Sequence, residues 1–105
     1  MEDSILDSIK KMLGIASEYT HFDDDIIMHI NSVLMILKQL GVGPSEGFRI
    51  DDNSATWSEF ISDDKQLQGV KSYMHQKVKL LFDPPLGSAV IESMNRTINE
   101  FERQN

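Results

Sequence analysis

No cysteine occurs in this chain of 105 residues, which excludes disulfides and thiolate-held metals alike. Stability must come from packing. Proline stands at only three positions and tryptophan at one, so long stretches are free of helix breakers. No apolar run approaches the roughly 20 residues that a membrane-spanning helix needs. The opening Met1-Glu2-Asp3-Ser4 is acidic, which argues against a signal or transit peptide and for synthesis in the cytoplasm. Bases are scarce as well: 10 Lys and Arg stand against 17 Asp and Glu, for a net charge of −7. Such a chain lacks the basic face that dominates affinity for phosphate backbones, so sequence-specific nucleic-acid binding is not expected.

What the chain does have is periodicity. Its length fits one domain, 1–105, with 40% hydrophobic residues for a modest core. Ile5, Leu6, Ile9, Met12 and Leu13 share a face, which predicts a first helix over Ser4–Leu13 stopped by Gly14. A second is predicted from Asp24 to Leu40. Three aspartates sit at its positive end, Gly41 stops it, and Ile26, Ile27, Ile30, Val33, Leu34, Leu37 and Leu40 form a broad apolar face. Residues 41–55 hold three glycines and Pro44 and read as a long loop, within which Phe48-Arg49-Ile50 is a candidate extended piece. Thr56-Trp57-Ser58-Glu59 has capping-box spacing and predicts a short turn carrying Trp57, Phe60 and Ile61.

The third main helix is predicted over Asp64–Phe82, with Leu67, Val70, Met74, Val78, Leu81 and Phe82 as its core stripe. Gly69 costs that helix about 1 kcal/mol relative to alanine, a cost that a close helix contact would explain. Pro84 and Pro85 lack the backbone N–H, and Pro84 drives Asp83 from the α region. Asp83, Pro84 and Pro85 therefore form a rigid corner. Beyond it, Val90, Ile91, Met94, Ile98 and Phe101 mark a last helix over Ser88–Arg103. The expected fold is an all-α bundle of about four helices with the long loop between the second and third.

Reactive constellations are not evident. Asp25 and His29 share a helical face beside His21, Asp23 and Asp24, but one carboxylate–imidazole pair is too few ligands for zinc or non-haem iron, and helix capping explains the acids. Asp51-Asp52-Asn53-Ser54 resembles the start of a calcium loop; in either register the glycine and closing glutamate are missing. Gly41-Val42-Gly43 runs into Pro44 and opens no phosphate-binding helix. His75, a turn after Lys71, reads as a surface or boundary residue. No catalytic, metal or cofactor site is assigned, and the chain is not expected to be an enzyme. Four apolar residues fall off the main stripes: Met28 and Met35 on the second helix, Tyr73 and Leu80 on the third. Either the bundle wraps those helices on a second side, or the four belong to a subunit interface, which methionine and tyrosine suit. Trp57 carries the same ambiguity.

Taken in order, several segments resemble those of the small head-tail connector, or head-completion adaptor, proteins of tailed bacteriophages. Ser4-Ile5-Leu6-Asp7-Ser8-Ile9-Lys10-Lys11-Met12-Leu13-Gly14 resembles the family's short first helix. The run from Phe22 to Val33 resembles the acidic entry to the second helix, and Gln39-Leu40-Gly41-Val42-Gly43 its exit. Thr56-Trp57-Ser58-Glu59-Phe60 is similar to the short aromatic turn. Lys77 to Pro85, closed by a helix ending in Glu100-Phe101-Glu102-Arg103, is similar to the long helix and its corner. The chain departs from the pattern at its end, Arg103-Gln104-Asn105, where members often carry a longer or more aromatic segment.

The resemblance implies a structural subunit of the virion head-tail junction, made in the host cytoplasm. It would join a homo-oligomeric ring on the portal after DNA packaging, extend the DNA channel, and offer a platform to the next connector or tail protein. No cofactor and no membrane are implied. Charge fits this role. Residues 1–64 carry 13 acids and 4 bases, net −9, and residues 65–105 carry 4 acids and 6 bases, net +2. The acidic half is either a solvated surface that aids solubility or a wall that repels passing DNA. The alternative function is a small helical adaptor, or a DNA-packaging accessory protein, that binds one viral or host protein without forming a ring.

Overall fold

The computed structural model describes residues 4–104, and five helices account for most of them. They are α1 (Ile5–Met12), α2 (Asp23–Gln39), α3 (Trp57–Phe60), α4 (Asp64–Phe82) and α5 (Ser88–Gln104). Helix α4 packs against both α2 and α5, and α1 packs against α2. The fold is all-α. Among the described residues there is no strand, only an isolated antiparallel bridge between Ser4 and Thr56.

Local chemistry sets the helix ends. The Ser4 hydroxyl accepts from the Asp7 N–H at α1's start, and Gly14 takes φ +80° just beyond its end. Gly41 does the same after α2, at φ +81°, a left-handed conformation that glycine adopts without steric cost. Thr56 and Glu59 form the predicted capping box, in which the Thr56 N–H donates to Glu59 Oε1 at 2.7 Å. Helix α4 ends at Phe82, and Asp83 leaves the helical region with φ −149° and ψ 71°. Lys79 Nζ reaches forward to Asp83 Oδ2 at 3.2 Å, tying the corner's first residue to the last turn of α4.

The core joins α1, α2, α3 and α4 through Ile5, Ile9, Ile26, Ile30, Val33, Leu37, Trp57, Phe60, Val70, Met74 and Val78, all buried. The long loop belongs to this core, with Val42 and Ile50 buried beneath it. The expected extended piece at 48–50 pairs with no strand. Instead the Asn31 side chain takes the place of one: its Nδ2 donates to the Ile50 carbonyl at 2.9 Å, and the Ile50 N–H donates to Asn31 Oδ1 at 2.8 Å. Trp57 resolves as a core residue, with its indole N–H donating to Ser8 Oγ at 2.8 Å. A hydrogen-bonded indole is the usual condition for burying tryptophan.

Lys10 departs furthest from the sequence reading. Its side chain is 0% exposed. The ammonium donates to the Ser17 and Tyr19 carbonyls at 2.9 and 2.8 Å and contacts Asp23 Oδ1 at 2.8 Å. Two of the ammonium's three donors go to the carbonyls, and the Asp23 carboxylate supplies the counter-charge. One lysine thereby fastens the α1–α2 connection to the first residue of α2. Of the three aspartates expected to serve the helix dipole, Asp23 is also this ion's counter-charge.

One position on α4 needs correction, and at a second the structure decides between the two alternatives. Leu81, expected in the core stripe, is 53% exposed: its neighbours Leu80 and Phe82 pack against the core, and the last turn leaves Leu81 facing outward between them. Tyr73, expected off the stripe, is buried. Helix α5 folds back along α4 and stacks Phe101 on the Tyr73 ring, with centroids 4.4 Å apart. Helix α4 is thus covered on two faces, and Tyr73 fills the second. Gly69 faces the same contact, and a Cβ there would lie 3.6 Å from Phe101 Cε2. That is ordinary van der Waals distance, so the contact does not require glycine. Gly69→Ala is expected to stabilise the fold by about 0.5–1 kcal/mol through helix propensity and a less flexible unfolded chain. Urea unfolding would check it, and a loss of stability would show that α5 sits too close to admit a methyl group.

A candidate assembly surface

Helix α2 turns its isoleucine and leucine face inward and leaves Met28 and Met35 outside, 57% and 64% exposed. Seven residues apart, they lie two turns along one face, about 10 Å from end to end. Beside them the loop at Glu46–Arg49 rises to form a groove of about 680 Å³. Its apolar lining comes from Ile27, Met28, Met35 and Phe48, and Lys38 and Arg49 stand among its charged residues. Phe48 is held by the Phe60 ring, 5.3 Å away between centroids. The groove is therefore backed by the core.

The four off-stripe residues do not form one surface. Met28 and Met35 line the groove. Leu80 is half-buried and packed against the core. Tyr73 is enclosed between α4 and α5, where its hydroxyl donates to Glu102 Oε2 at 2.7 Å. Burial, and then the bond to Glu102 and that carboxylate's charge, push the Tyr73 hydroxyl well above the usual tyrosine range. Lys77 Nζ lies 3.5 Å from the same carboxylate. Tyr73 thus serves as the clasp of α5 and offers no outward surface.

A second apolar feature was not singled out from the sequence. Around Asp83-Pro84-Pro85, Leu86 is fully exposed and Val90 is 51% exposed, next to the exposed Leu81. The apolar stripe of α5 is covered only towards its C-terminal half, where Ile98 is buried. At its N-terminal end it opens to solvent. A leucine directly after two prolines, with no periodic partner, was the available signal.

The histidines have structural neighbours. His29 faces the Phe82 ring at 6.4 Å, and His21 sits edge-on to Phe22 at 4.8 Å. His75 is a boundary residue whose ring is held below the usual imidazole range by burial and by the charge of Lys79, with a hydrogen bond to the Met12 backbone opposing. Among the described residues, no three His, Asp or Glu side chains converge closely enough to share a metal ion. No helix among them is long and apolar enough to cross a membrane.

Against this geometry, the comparison with known families is specific. A family model described as phage connector protein matches residues 5–104. Neither a curated protein nor a solved structure matches the chain.

Proposed function

The chain belongs to the phage connector protein family, and from that premise we propose that it is a ring-forming subunit docked on the portal after DNA packaging. In this reading the ring extends the DNA channel and presents a platform to the next connector or tail protein. Connector proteins are structural, and membership of the family implies association with the other head and tail proteins of a virion. The observation that carries the reading is the extent of the match, which takes in every helix from α1 to α5.

Two features support the finer role. The exposed Met28 and Met35 offer apolar contact area outside the monomer's core. The net charge of −9 over residues 1–64 suits a channel lining that repels DNA and lets it slide. Helix α5 is then left to contribute to the portal contact. Particles lacking the protein should fill with DNA yet fail to accept tails, and supplying the protein in trans should restore infectivity. If such particles acquired tails and infected normally, the connector role would fall, and an adaptor that never forms a ring would replace it.

A further inference from the structure

Helices α2 and α5 are each 17 residues long, yet they are held very differently. Helix α2 buries Ile26, Ile30, Val33, Leu34 and Leu37, whereas α5 buries Ile98 alone. The strongest attachments of α5 gather near that residue. Phe101 lies nearly parallel to the Tyr73 ring, at 18° with centroids 4.4 Å apart. The Tyr73 hydroxyl donates to Glu102 Oε2 at 2.7 Å, and Lys77 Nζ stands 3.5 Å from the same oxygen. Towards the corner the helix loosens: Val90 is exposed, and Ile91 and Met94 are only half-buried.

The corner itself is anchored to α4. The Asp83 N–H donates to the Lys79 carbonyl at 2.9 Å, and the Asp83 carboxylate pairs with the Lys79 ammonium. Pro84 and Pro85 have a fixed φ, so they continue that anchored end as a stiff arm. Beyond them Leu86 and Gly87 are exposed, and Gly87 has no side chain to hinder rotation. A turn there breaks no packed contact. How readily an element opens by itself follows from how little apolar contact it buries. By that measure α5 is held more weakly than α1, α2 or α4.

We propose that α5 is a hinged strap. It swings off α4 about Leu86 and Gly87 while α1 to α4 stay folded, and the bond from Tyr73 to Glu102 is the latch that holds it closed. A hydrogen bond to a charged acceptor is among the stronger ones, and here the donor residue is buried. Opening uncovers Tyr73 on α4 and Ile98 and Phe101 on α5, side chains that the closed form packs together or buries. The proposal goes beyond the connector reading and does not depend on what the released helix meets.

Amide hydrogen exchange of the purified protein tests it. A helix of this length is marginal alone in water, so a released α5 exchanges its amides. Corrected for intrinsic rates, α5 amides should exchange at least roughly tenfold faster than those on the buried face of α2. Two variants then separate a strap from a helix that leaves only when the whole molecule unfolds. Ile30→Val weakens the core, which is intact in both the closed and the open form. It should speed α2 exchange by about fivefold and leave α5 exchange unchanged. Tyr73→Phe keeps the ring stack and removes the hydroxyl, which weakens the closed form against the open and the unfolded forms alike. It should speed exchange in both helices by about tenfold. Protection of α5 equal to that of α2, falling with it in Ile30→Val, would overturn the strap. An α5 whose exchange Tyr73→Phe does not move, or one with no protection at all, would overturn the latch. Particles lacking the protein report on the connector role whatever the exchange shows, so either reading can fail without the other.

Discussion

Lys10→Met is expected to lower the unfolding free energy by about 3 kcal/mol or more, a large fraction of a small domain's stability. Methionine keeps most of the buried stem and removes the ammonium, so the loss reports the charge rather than a cavity. Two backbone carbonyls, Ser17 and Tyr19, lose their donor, and Asp23 loses its counter-ion. An unsatisfied buried group costs about 1–3 kcal/mol, more when it is charged. Asp23 retains 22% side-chain exposure, so water can hydrate it in part, which places the effect at the lower end for a broken buried pair. Urea unfolding of the single variants Lys10→Met and Asp23→Asn and of the double variant would measure the coupling. If Lys10→Met cost under about 1 kcal/mol, the ammonium would not be the fastening of the α1–α2 connection.

Ile30→Ala is the second large loss, expected at about 2–5 kcal/mol. Ile30 lies on the inner face of α2 with no exposed surface, and the helices around it cannot collapse far without breaking their own contacts. Its counterpart is Leu81→Ala, expected to cost under about 1 kcal/mol, because that side chain is already largely in water. The pair separates two accounts of α4. A core stripe running unbroken to the corner would make the two substitutions comparable. A last turn that points Leu81 outward makes them differ severalfold.

The helix boundaries were readable from the sequence because their stops are covalent facts about single residues. Gly14 and Gly41 permit a left-handed backbone, Thr56 and Glu59 pair locally, and Pro84 forbids continuation. All these act within a few positions of the chain. Lys10 was not readable, since a base beside Lys11 on a short amphipathic helix looks like solvated surface. Its burial depends on carbonyls 7 and 9 residues further on turning back towards it. For Tyr73 the sequence left a second buried side and a subunit interface both open, because a helical wheel does not say which helix covers a second face; α4 is covered by both α2 and α5. Only α5's return, with Phe101 and Glu102 presented together, makes a tyrosine a good second-face residue. Of the proposed contact faces, Met28 and Met35 were visible as off-stripe residues. The groove beside them was not, because Phe48 and Arg49 reach it from a loop with no periodicity.

The most direct measurement of the central claim uses DNA-filled heads isolated from phage lacking this protein. Purified protein is added, unbound material is removed, and the portal vertex is imaged by electron microscopy before and after tails are supplied. A ring of added density on the portal, followed by tail joining, is the predicted result. Heads that bind no protein at the vertex, or that accept tails equally well without it, would contradict the account.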